Sequence, residues 1–244
     1  MVSVAPYGLA MIRIAFALAA ALLALPASAA DTLPPAGSKA IPVPQATIMA
    51  RRYPDVGSCG AYQEAYLAAG WPRGVGIETV KQIDSLVRKR MVLRNDSGAD
   101  VWTPLTEALI AGKRPAGDCD DMSITNAQLA VCAGMPADRL GLLITTAPNG
   151  TGGELHMLAF YKDPKDQTWV FGDTFGRPRA LSRVSQRLIF MAYLNDVTRW
   201  YGLLGRSDPS LGTSEIPVTS AVPLLPDGES SFASCTRTVE EPSN

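Results

Sequence analysis

The chain has 244 residues, with 22 Lys and Arg against 23 Asp and Glu, four cysteines and one histidine. That balance lacks the basic excess from which nucleic-acid binding draws its affinity, and one imidazole cannot build a multi-histidine metal site. At 47% hydrophobic and 18% charged residues, most of the chain has the composition of a folded domain.

Near the start of the chain Arg13 is followed by an apolar run over 14–25, Pro26 and the small residues Ala27-Ser28-Ala29-Ala30. This is the pattern of a secretory signal peptide over residues 1–29. The run is too short to span a bilayer as a helix, so the sequence predicts an exported protein with no membrane span in its mature form. Residues 30–50 carry Pro34, Pro35, Pro42 and Pro44 and read as an extended arm. Residues 51–205 form the expected domain. Residues 206–244 are rich in Ser, Pro, Thr and Gly without periodicity and read as an irregular tail.

Within the domain the first half reads helical. Ala61 to Ala69 ends at Gly70-Trp71-Pro72, and Ile77 to Met91 places Val80, Ile83, Val87 and Met91 at helical spacing. Asn95-Asp96-Ser97-Gly98 reads as a turn. Thr103-Pro104 opens a short helix to Ile110, and a longer one runs from Asp118 or Cys119 to about Cys132. The period then changes. Leu140 to Thr146, Leu155 to Tyr161 and Thr168 to Phe171 are short aliphatic and aromatic runs separated by strong turn signals. Residues 182–203 fit either a helix or another strand. Helices followed by hairpin-linked strands predict an α+β fold with an antiparallel sheet.

Gly117-Asp118-Cys119-Asp120-Asp121 is the most unusual pentapeptide. A cysteine in the first turn of a helix lies among unpaired N–H groups at the positive dipole end, which favours a thiolate. The aspartates also suit a helix N-terminus without any chemistry. An even cysteine count in an exported chain suits disulfides too, one at Cys119 included, and Cys59 with Cys235 is a candidate pair. Cys132 reads as a small buried apolar residue. Alternation puts His156, Leu158 and Phe160 on one face of a strand, and Asp173 leaves the next strand after Phe171-Gly172. In a hairpin Asp173 can hold the His156 ring, which makes Cys119, His156 and Asp173 a candidate nucleophile, base and orienter.

These residues, in this order, resemble the bacterial transglutaminase-like cysteine proteinases. Asp100-Val101-Trp102-Thr103-Pro104-Leu105-Thr106-Glu107 and Arg199-Trp200 also resemble segments of that family, so the likeness spans roughly residues 77–203. It implies a papain/transglutaminase-like core and a periplasmic cysteine endopeptidase with Cys119, His156 and Asp173 as catalytic residues. A loose analogy with papain-like enzymes adds Gln63 as an oxyanion donor. The resemblance further implies a protein substrate such as a large surface adhesin, and a membrane-bound, cyclic-di-GMP-responsive receptor as partner. Carboxylates crowded beside a thiol disfavour its ionisation, and a hard cation would relieve this. Members of the family bind calcium at these acidic positions, so Asp118, Asp120 and Asp121 carry over as candidate ligands. Asp120 departs from the family's usual glutamate by one methylene. Amine transfer through the same residues, or a non-catalytic binding module, are the rival functions.

Overall fold

The computed structural model describes residues 39–97, 100–147, 155–174 and 176–203. The expected signal peptide, the first part of the arm, the tail and Cys235 lie outside them. All described residues belong to one compact unit.

The end of the expected arm is regular rather than simply extended. Ala40–Ile41 forms strand β1 and Pro44–Arg52 forms helix α1. Pro44 stands at the first helical position, where its missing N–H costs nothing, so it starts a helix here. Ala46 and Met49 of α1 are buried in the main core, and the folded part therefore begins ahead of residue 51. Helices α2 (Gln63–Ala68), α3 (Ile77–Arg90), α4 (Thr106–Ile110) and α5 (Cys119–Cys132) follow. Two short strands, β2 (Val92–Leu93) and β3 (Ala116–Gly117), pair in parallel just before α5. None of the described helices is long and apolar enough to cross a membrane.

The remaining strands are β4 (Leu140–Thr146), β5 (Leu155–Lys162), β6 (Thr168–Phe171), β7 (Arg179–Ala180), β8 (Leu188–Tyr193) and β9 (Trp200–Gly202). With β1 they form an antiparallel sheet in the order β1-β9-β8-β4-β5-β6-β7. The α+β expectation holds, and the ambiguous 182–203 segment resolves as β8 and β9. Strand β8 sits inside the sheet, between β4 and β9. That long-range pairing, invisible in local periodicity, decides in favour of strand. Along β5 the alternation is kept. Met157, Ala159 and Tyr161 join the main core with Ile124, Ala127 and Leu129 of α5. Leu158 and Phe160 join a second cluster with Leu143, Val170, Leu181 and Met191.

Helix α5 is buried on nearly every side although Ser123, Thr125, Asn126 and Gln128 lie along it. Each of these side chains has at least one hydrogen bond, although the amide oxygens of Asn126 and Gln128 are buried without a partner. The Thr125 hydroxyl accepts from the Leu105 N–H at 2.8 Å, and Gln128 Nε2 donates to the Asp55 carbonyl at 3.1 Å. Asn126 Nδ2 donates to the Met122 carbonyl at 2.9 Å. Such partners are what make buried polar side chains tolerable.

A disulfide joins Cys59 to Cys132, with the Cα atoms 4.7 Å apart. This corrects two expectations: Cys59 does not pair with Cys235, and Cys132 is not a simple apolar filler. The bond ties the segment ahead of α2 to the far end of α5 across 73 residues. Closing a loop of that length removes about 4 kcal/mol of denatured-state freedom in the chain-entropy picture. A Cys59→Ala/Cys132→Ala variant is expected to unfold at a clearly lower denaturant concentration, with the free-energy loss measured by urea titration. Gln63 donates to the Cys132 carbonyl at 3.3 Å. It is thus fixed at the end of α5 opposite Cys119, about 20 Å along the helix, and is no oxyanion donor.

Candidate active site

Helix α5 begins where the acidic pentapeptide predicts. Asp118 is the N-cap residue in extended conformation, but its side chain makes no capping hydrogen bond. Cys119 follows in the first turn and is completely buried. Its sulfur is held in a disulfide, and none of the described cysteines is a free thiol. Chemistry through a Cys119 thiolate requires reduction first. Gly117 has a steric reason: a Cβ there would lie 2.4 Å from Asp121 Oδ2 and 2.8 Å from the Met91 Cε methyl. Only glycine lets β3 pass this close to the first turn of α5.

One turn beyond Cys119, the Ser123 hydroxyl lies 2.9 Å from the Met157 carbonyl and 3.0 Å from the Gly172 carbonyl. Those carbonyls belong to the residue after His156 and the residue before Asp173. The start of α5 is thereby pinned beside the start of β5 and the end of β6. Gly172 adopts φ +66°, and a Cβ on it would lie 3.0 Å from Ser123 Cα. The turn out of β6 thus needs glycine both for its left-handed backbone and for the approach of α5.

His156 and Asp173 are both buried, and His156 Nε2 lies 2.9 Å from Asp173 Oδ1. The second oxygen, Asp173 Oδ2, is 2.8 Å from the Arg179 guanidinium. A second arginine braces the backbone. Arg88 on α3 donates through Nε to Asp84 Oδ2 at 2.7 Å and through Nη2 to the carbonyls of Asp173 and Gly176. Asp84 Oδ1 in turn accepts the Gly172 N–H at 3.0 Å. Burial pushes the Asp84 carboxyl above its ordinary range, and the hydrogen bonds and charge of Arg88 act against that rise.

The acids around Cys119 form a cluster larger than the pentapeptide, buried at Asp118, Asp120 and Asp121, half-buried at Asp100 and exposed at Asp96. Carboxylate oxygens of Asp96, Asp100 and Asp118 lie within 4.8 Å of one another, as do ligand atoms of Asp118, Cys119 and Asp120. When ionised, both buried oxygens of Asp120 and Oδ1 of Asp118 meet no hydrogen-bond donor. A proton on Asp120 is shared within the cluster, whose Asp100, Asp118 and Asp121 carboxyls lie in hydrogen-bond reach of it. Burial raises the Asp120 carboxyl well above its ordinary value, and the charges of Asp118, Asp100 and Asp121 raise it further. Asp100 is pushed up to about 6, by burial first and then by Asp118 and Asp96. Asp121 is pushed up to about 7 by burial with the charges of Asp118 and Asp96. Orphaned, mutually repelling carboxylate oxygens fit a hard divalent cation with flexible oxygen coordination, such as calcium. The sulfur of Cys119, a soft atom, does not suit it. Asp121 is divided between the cluster, where its carboxyl reaches Asp120, and a neighbouring segment. Its Oδ1 accepts the Thr103 N–H at 2.7 Å, and it is outside both ligand groups.

Of the residues to which the sequence points, the fold pairs His156 with Asp173 and groups Asp118, Cys119 and Asp120 at the head of α5, with Asp121 outside that group. The supports of these residues carry weaker signals. Asp84 and Arg88 stand four residues apart on α3, a spacing that suggests an ion pair but not its target. Asp96 lies in a stretch that reads as a turn. Arg179 carries no local signal.

No protein-family model matches the chain, and no curated protein matches it. Among solved structures the chain is similar to Legionella pneumophila LapG in three forms. The EGTA-treated form aligns at TM-score 0.44 and 18% identity, covering 70% of this chain and 95% of that one. A further LapG structure gives 0.43 and 16%, covering 69% and 93%. The calcium-bound form gives 0.41 and 17%, covering 73% and 94%.

Proposed function

We propose that this chain is a periplasmic, calcium-dependent cysteine endopeptidase of the transglutaminase-like kind. The observation that carries the reading is the buried His156–Asp173 pair at 2.9 Å, beside a helix that begins with Cys119. Asp173 accepts from Nε2, so Nδ1 is the nitrogen that serves the sulfur. The Cys119 thiolate adds to a peptide carbonyl, and the C–N bond breaks as His156 gives its proton to the leaving amine. The thioester is then attacked by water, His156 taking the proton, and the acid leaves as the thiolate reforms. Asp173 keeps the ring in the tautomer and orientation both steps need.

Asp96, Asp100, Asp118 and Asp120 would hold calcium. Bound there, it neutralises the cluster beside the sulfur and ties the segment before α4 to the start of α5. The substrate in this reading is an extracytoplasmic protein such as a large adhesin, with a membrane-bound, cyclic-di-GMP-responsive receptor as partner. The test is comparative proteomics of surface and released proteins from cells carrying the wild-type chain or Cys119→Ala. A surface protein released in a truncated form only by the wild type supports the reading. Identical protein sets would sink it.

A further inference from the structure

Asp173 has to present one oxygen to His156 and keep it there, and a carboxylate held at one oxygen can turn about its Cβ–Cγ bond. Here its second oxygen has an ion-pair partner, close in distance though not aligned as a hydrogen bond. Arg179 leads β7, which pairs with β6 through Val170↔Arg179 and Trp169↔Ala180. From that position its Nη2 lies 2.8 Å from Asp173 Oδ2, with Asp173 fully buried and Arg179 largely so.

The passage for this contact is cleared by a glycine. A Cβ on Gly176 would lie 2.1 Å from Arg179 Nη1 and 2.8 Å from Asp173 Oδ2. Meanwhile Arg88 holds the carbonyls of Asp173 and Gly176. The two arginines divide the work: Arg88 fixes the backbone of the turn, and Arg179 fixes the carboxylate it carries.

We propose that Arg179 is a positioning residue of the reaction, its guanidinium setting the plane of the Asp173 carboxylate so that Oδ1 stays on His156 Nε2. The proposal rests on the cysteine-hydrolase reading above and adds a determinant that it does not contain. Gly176 belongs to the same device, because any side chain there displaces the guanidinium.

The experiment compares full-length wild type with Arg179→Gln, Arg179→Lys and Gly176→Ala, each reduced, desalted and supplied with calcium. Hydrolysis of p-nitrophenyl acetate gives kcat and KM, and thermal unfolding gives Tm. Proton NMR follows the ring N–H on His156 at low field, assignable at once because the chain has one histidine. In Arg179→Gln, kcat falls about 10- to 100-fold, the range expected for misplacing a reacting group, with KM and Tm little changed. The low-field resonance broadens or vanishes. Gly176→Ala reproduces both losses, although Arg179 is intact, and Arg179→Lys recovers most of kcat and the resonance. A retained resonance with unchanged kcat in Arg179→Gln overturns the proposal. So does a loss of kcat and Tm together in both the glutamine and the lysine variants, since Arg179 is then only a structural tie. The resonance is read without turnover, so Cys119→Ala that stays active would refute the hydrolase reading while leaving this readout to decide on Arg179.

Discussion

Replacing Cys119 by alanine is expected to lower p-nitrophenyl acetate hydrolysis on the order of 10^4-fold or more, the scale of losing a member of a nucleophile–base–orienter unit. Because the sulfur is disulfide-bonded, the assay compares proteins that have been reduced and desalted. Untreated wild type is expected to be inactive and to gain activity on reduction. The double variant Cys119→Ala/His156→Ala is expected to be no slower than Cys119→Ala. Once the nucleophile is gone, the base has no proton to move, and the losses do not add. Hydrolysis that survives in Cys119→Ala would remove the nucleophile, whatever happens to the double variant. The size of the loss reflects geometry as much as motif. Asp173 already fixes the His156 ring at 2.9 Å, and an alanine at the head of α5 leaves that ring nothing to activate.

Removing calcium is expected to have the next largest effect, on stability and on thiol reactivity. Saturation at a hundred times the dissociation constant adds about 2.7 kcal/mol to folding, read as a rise in Tm that chelator reverses. Labelling of the reduced Cys119 by iodoacetamide is expected to slow when calcium is removed, because the uncompensated carboxylate charges then oppose the thiolate. Metal-free protein also has a defined pH response. Asp100 and Asp121, pushed up to about 6 and about 7, and Asp120, raised well above its ordinary value, bind protons in the folded state that an unfolded aspartate releases near pH ~3.9. A group raised on folding makes the folded state less stable as pH climbs from the unfolded value through the folded one. Metal-free protein is therefore expected to melt higher near pH ~5 than near pH ~8, and calcium to raise Tm most at the upper end of that range. Asp120→Asn separates the two contributions by sign. It raises Tm of the metal-free protein at the alkaline end, because it removes a charge that burial opposes, and it weakens the calcium-dependent rise. A metal-free Tm indifferent to pH and to Asp120→Asn would discard the cluster as a cation site.

Local periodicity was sufficient where a single element buries a single face. Val80, Ile83 and Val87 recur at helical spacing, and all three are buried on α3. The alternation along β5 is kept in its two packing faces. Pro44 illustrates the opposite. Proline fits both an extended arm and a first helical turn, and the choice was made by the burial of Ala46 and Met49. Cys59 is similar: its partner depends on which cysteine lies within Cα reach, and Cys132 lies there at 4.7 Å.

The α+β order, the helix start at Cys119 and the pairing of a lone histidine with a following aspartate were legible in the chain before any packing. Each of these depends on neighbours close in sequence, where backbone geometry and side-chain period act directly. What surrounds them was settled by packing alone. It placed Asp96 and Asp100 against Asp118, closed Cys59 onto Cys132, put β8 inside the sheet, and brought Arg88 and Arg179 to Asp173. Those contacts join groups from separate segments, and their energies come from burial and charge that exist only once the segments have come together.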